Sequence, residues 1–121
     1  MADASVKIRV DGEKEFRDSM KNCAQAGKTL DAQMNQLASQ FDTTTNKEEA
    51  YSKASNILTS QIENQKKQID LLKDAVAKST EKYGENSTQT LKLQEQLAKA
   101  ETSLSKLEST SVDAALGVDK L

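Results

Sequence analysis

Apolar side chains recur at steps of four and three along most of this chain, and that spacing constrains its fold more than any other feature. Phe16, Met20, Cys23, Gly27, Leu30, Met34, Leu37 and Phe41 follow it without a break. A repeat averaging 3.5 residues lays a narrow apolar stripe along a slightly underwound α-helix, and such a stripe requires a partner helix. A second run carries Tyr51, Ser55, Leu58, Ile62, Gln65, Ile69, Leu72, Val76, Ser79 and Tyr83 at the same steps. Ile57, Leu71 and Ala75 widen its face toward more than one neighbour. A third places Thr90, Leu93, Leu97, Ala100, Leu104 and Leu107 on one side. The expected fold class is all-α: long helices in coiled-coil or helical-hairpin packing, with a short N-terminal β-strand.

That strand is read from Val6, Ile8 and Val10, which alternate with Lys7 and Arg9. Residues 1–11 form the strand and cap, with Asp11 positioned to cap the first helix and Glu13 and Glu15 on its positive end. A lone strand is unstable and must pair with something. The first coiled-coil helix spans 12–41, with Gly27 in its stripe as either a close-approach point or a soft point. Residues 42–46 are a polar break. Thr45 with Glu48 forms a capping box, so a second helix covers 46–83. Gly84 suits the left-handed conformation that ends a helix, and Asn86 or Ser87 caps a third over 87–108. So short a loop predicts an antiparallel hairpin. From 109 to 121 the pattern fades into an expected flexible tail, read as the truncation point of a longer chain. The helix at 12–41 has two routes open: folding back onto the second helix or pairing with its copy in another chain. The amount of seam predicts a homo-oligomer.

Composition narrows the function. The 121 residues include 17 basic and 19 acidic side chains, a formal net charge of −2. No basic surplus exists to grip a phosphate backbone, so no nucleic-acid contact is expected. No apolar run reaches the length of a membrane span, and the N-terminus lacks the basic and apolar regions of a signal peptide. An amphipathic membrane-surface helix would want a basic polar face backed by aromatics, and aromatics are only 3%. A cytoplasmic protein is the natural reading. One cysteine, Cys23, permits no internal disulfide and sits on the stripe as a small hydrophobe.

Catalytic equipment is missing. Histidine is absent, which removes the commonest general base and a principal metal ligand. No phosphate loop or nucleophile elbow occurs. The carboxylates alternate with lysines on polar helix faces, as in Glu63 with Lys67 and Asp74 with Lys78, a pattern that solvates a helix. The expectation is a non-enzyme with no cofactor, no metal and no small-molecule substrate. Gln65, Ser55, Ser79 and Thr90 interrupt the stripe; polar seam residues either fix register or mark a seam open to water. Tyr51 and Tyr83 fit helix-end packing with the hydroxyl reaching solvent.

The order of these parts carries a resemblance. A VKIRV strand and Asp-Gly lead into Lys14-Glu15-Phe16 and the stretch Leu30 to Leu37. Ala54 to Ile62 and Lys66 to Ala75 follow, then Lys82-Tyr83-Gly84-Glu85-Asn86-Ser87 and the leucine run from Leu91 to Leu107. Residues 5–108 thereby resemble the N-terminal region of tape-measure proteins of long-tailed bacteriophages and their prophage relatives. The Tyr-Gly-Glu-Asn-Ser turn is the most specific piece; heptads belong to any coiled coil. The resemblance implies a structural assembly protein whose helical length sets tail length inside the tail tube. It also implies tail tube proteins and tail assembly chaperones as partners, and a passage from host cytoplasm to virion tail. The alternative is a generic bacterial coiled-coil adaptor or secretion-type helical hairpin that binds partner helices.

Overall fold

A computed structural model describes residues 12–118. The expected strand over 6–10 and the Asp11 cap lie outside the described residues. Within them the chain is helical, with no strand: α1 (Glu13–Gln40), a 3-10 turn (Phe41–Thr43), α2 (Lys47–Tyr83), α3 (Thr88–Glu108) and α4 (Val112–Leu116).

Each boundary has a local cause. The Phe16 amide donates to the Gly12 carbonyl at 2.8 Å, and Glu13 and Glu15 occupy the electropositive first turn of α1. Past Gln40 the chain tightens into the 3-10 turn, and Thr44 is extended. The Lys47 ammonium then turns back, donating to the Phe41 carbonyl at 2.7 Å and the Thr44 carbonyl at 3.4 Å, and lies 4.5 Å from the centre of the Phe41 ring. The Phe41 carbonyl also accepts from the Thr44 amide at 3.3 Å, closing the turn. The cap of α2 is Asn46, whose Oδ1 accepts from the Glu49 amide at 3.0 Å. The cap thus sits one position beyond the expected Thr45–Glu48 box.

At the other end of α2, the Gly84 amide donates to the Thr80 carbonyl at 2.8 Å. Gly84 takes φ 95° and ψ 155°, which is not the left-handed helical conformation expected but a region only glycine enters at low energy. Ser87 caps α3 by accepting from the Thr90 amide at 3.1 Å. The expected patternless tail is instead ordered through Val118: Ser111 caps α4 by accepting from the Ala114 amide at 3.0 Å, and Leu116 is buried.

α2 is the spine. α1 packs back along it and α3 packs back along it from the other loop, while α4 covers the end where α1 meets α2. Of the two routes open to α1, the chain shows the first, folding back onto α2. Contacts set the antiparallel register of α1 and α2: Asp31 meets Gln61, Cys23 meets Asn64, and Gly12 lies beside Lys78.

Two apolar clusters sit along this spine. The first joins Ile69, Leu72 and Ala75 of α2 to Leu93 and Ala100 of α3, edged by Phe16 and Met20. The second joins Met34 and Phe41 to Ala50, Ala54, Leu58 and Leu116. Leu72 and Leu93, 2% and 1% exposed, each contribute about 1.5–3 kcal/mol by leaving water. Between the clusters α2 reads Gln61-Ile62-Glu63-Asn64-Gln65-Lys66-Lys67-Gln68, a polar waist.

The opening turns of α2 differ from expectation. Tyr51 is 37% exposed and Ser55 is exposed, while Ala50 and Ala54 are buried. The buried stripe here steps Ala50, Ala54, Leu58 and is rotated by one residue. The 3-10 turn, α1 and α4 all crowd this end, and only small side chains admit so many neighbours.

Candidate functional site

The seam is the candidate site. Of its expected members, Cys23, Met34, Phe41, Leu58, Ile69, Leu72 and Leu93 are buried. Phe16, Met20, Leu30, Leu37, Ile62, Val76, Tyr83, Leu97, Leu104 and Leu107 are half-buried. The structure brings Phe16, Met20, Val76, Leu97 and Leu104 onto the first cluster and Leu37, Ile62 and Leu107 onto the second. Cys23, Leu30 and Tyr83 belong to neither. Tyr51 is not in the seam. Its ring meets Phe41 edge-on at 5.4 Å and 84°, and its hydroxyl donates to Asp113 at 2.7 Å rather than to solvent alone.

Polar groups inside the bundle pin its register. The Ser79 and Thr90 hydroxyls meet at 2.7 Å, both residues fully buried, and the Ser87 hydroxyl donates to the Thr90 oxygen at 2.9 Å. Gln65 is half-buried and faces Gln68 along its own helix at 3.4 Å. Asn64, a residue the periodicity did not single out, donates to the Cys23 carbonyl at 2.9 Å. Gln61 donates to Asp31 at 2.9 Å. Among the described residues, no buried side-chain nitrogen or oxygen lacks a partner.

Ala50 and Ala54 are further seam residues that a search for large apolar groups passes over, and Leu116 joins them from a helix too short to show a period. The four-residue step from Ala50 to Ala54 to Leu58 is the signal that locates the first two.

Two open grooves run beside the seam. One of about 450 Å³ between α1 and α2 is lined by Gln33, Gln36, Leu37, Gln40, Lys53, Asn56 and Ile57. Another of about 260 Å³, where α1, α2 and α3 meet at the waist, is lined by Met20, Gln65, Gln68, Leu72, Gln96, Lys99, Ala100 and Ser103. Both offer amide donors and acceptors over an apolar floor. Lys53 adds a positive charge to the first, and Lys99 and the Ser103 hydroxyl line the second.

Electrostatics on the polar faces are modest. Asp74 and Lys78 approach to 3.1 Å, and Lys14 and Asp18 to 2.8 Å, all on exposed side chains. Glu63 and Lys67 are not among the ion pairs of the described residues. The hydrogen bond between Lys14 and Asp18, with the attraction of their charges, raises the lysine pKa and lowers that of the carboxyl. The hydrogen bond to Asp113, then partial desolvation, raises the Tyr51 pKa. No group of three or more His, Cys, Asp or Glu is arranged to hold a metal ion among the described residues. No described helix is long and apolar enough to cross a membrane. No family model, curated protein or solved structure matches the chain.

Proposed function

We propose that this chain is an assembly protein, the N-terminal region of a tail tape-measure protein of a long-tailed bacteriophage or prophage. One observation carries the reading. The run Lys82 to Ser87, the most specific part of the resemblance, is also one structural unit: Tyr83 ends α2, Gly84 takes a glycine-only conformation and Ser87 caps α3. Tyr83, Gly84 and Ser87 thus each hold a place in the corner that the run turns.

In this reading the region is a compact head and not a stretch of ruler. A helix advances about 1.5 Å per residue, so α2 is about 55 Å long. Two reversals fold the remaining helices back along that length. Tail tube subunits and assembly chaperones are its partners in the host cytoplasm, and the virion tail is its destination.

In-frame deletion of residues 47–108 from the parent gene tests this, with tails examined by electron microscopy. A head that starts assembly predicts few or no tails. Tails shorter by about 90 Å would return the segment to the measured length. Normal tails in normal numbers would sink the proposal and favour the second reading, a helical adaptor that receives partner segments in its amide-lined grooves.

Self-association belongs to the same proposal. With the seam buried within the chain, exposed Leu91 and Tyr51 and the two grooves are surfaces among the described residues that could join copies. Sedimentation equilibrium showing only a 13.2 kDa species at the highest attainable concentration would remove this part.

A further inference from the structure

Each half of the first helix has one buried residue, Cys23 before Gly27 and Met34 after it, and the two halves meet different clusters. After Gly27 it sends Met34 into the second cluster, followed by Leu37 and, at its C-cap, Phe41. Before Gly27, Cys23 is the buried residue, and Phe16 and Met20 only edge the first cluster. The buried members of that cluster all belong to α2 and α3.

Gly27 separates the two halves. A glycine inside a helix retains more backbone freedom than any other residue and weakens the helix there. Packing does not demand it: an added Cβ would stand 3.5 Å from the Asn64 side-chain nitrogen, an ordinary contact. The same Asn64 amide reaches across beside Gly27 to donate to the Cys23 carbonyl at 2.9 Å. α2 therefore grips α1 on the upstream side of its weakest point.

We propose that residues 13–26 form an arm that opens about Gly27, with Asn64 as its catch. Opening uncovers the α2–α3 stripe through Ile69, Leu72 and Ala75. A helix this short is marginal alone in water, so the arm unwinds in part as it leaves. Local opening of this kind draws on segments with few buried contacts, and Cys23 is the arm's one buried residue. The inference stands apart from the tail-assembly reading, since it uses only burial and backbone chemistry.

Hydrogen–deuterium exchange of the full chain, read by mass spectrometry, tests it. Amides across 13–26 exchange at least about tenfold faster than those of 69–79, as one block up to the glycine. Asn64→Ala speeds the arm about fivefold and leaves 69–79 nearly unchanged. Gly27→Ala slows the arm about fourfold. One common rate for arm and core would overturn the proposal. So would a gradient that fades before Met20, which is end fraying, or an arm rate indifferent to Gly27→Ala.

Discussion

The hydroxyls of Ser79 and Thr90, eleven residues apart in sequence, face each other at 2.7 Å across the α2–α3 seam with no exposure to water. Two polar residues at positions that would otherwise hold aliphatic ones satisfy each other only when the helices are in this register. A shift of one turn would part them, stranding the buried Ser79 hydroxyl and leaving Thr90 only its contact with Ser87.

Thr90→Val keeps the shape and removes the oxygen, stranding Ser79. The expected loss is about 1–3 kcal/mol in urea unfolding. Adding Ser79→Ala should recover part of it, because the fully buried orphaned hydroxyl is then gone. A double-mutant cycle measures this coupling, and additive losses would mean that the pair does not interact.

Two glycines should respond in opposite directions. At Gly84 a side chain meets nothing within 4 Å, so the penalty of Gly84→Ala is backbone strain alone, about 1–3 kcal/mol. At Gly27 the backbone is helical and the neighbour is at contact distance, so Gly27→Ala should add about 0.5–1 kcal/mol of stability. Thermal unfolding of the two variants checks both signs.

Ile69 is 6% exposed in the first cluster. Ile69→Asp places an unpaired carboxylate there and should cost several kcal/mol, roughly 3–5, lowering the melting temperature or preventing folding. Leu91→Asp, at a site 50% exposed, should change little and serves as the control.

Tyr51 predicts an alkaline limit. Its pKa is raised in the folded chain because the hydroxyl donates to Asp113, so folding favours the protonated phenol. The stabilisation is complete below the ordinary phenol pKa of about 10 and is lost as pH rises through the higher folded value. Melting temperature measured from pH 8 to 11 should fall more steeply for the native chain than for Tyr51→Phe. Parallel curves would count against the hydrogen bond.

Much of this was legible in the sequence where the helices are long. Stripes such as Phe16 to Phe41 and Leu58 to Val76 sample enough turns for the period to be unambiguous. The stops were legible from Gly84 and Ser87, whose chemistry is local. Three features were not. α4 spans barely more than one turn, too short for any period, and Leu116 is buried only because Phe41, Ala50 and Ala54 gather at that end. The start of α2 holds both Tyr51–Ser55 and Ala50–Ala54 at the same spacing, and size favours the tyrosine until the crowding of three elements selects alanine. Asn64 looks like a solvated residue in a polar run; its grip on Cys23 depends on which helix lies opposite.

An odd number of passes along one axis has a mechanical consequence. Gly12 lies beside Lys78 at one pole, and Val118 packs with the second cluster toward the other. α3 therefore runs in the direction of α1, and Gly12 and Val118 stand toward opposite ends of α2. Tension between those points slides the helices past one another, so many interlocked side chains share the load at once. A two-pass hairpin under the same pull would unzip from its open tip, contact by contact; this body behaves as an in-line link.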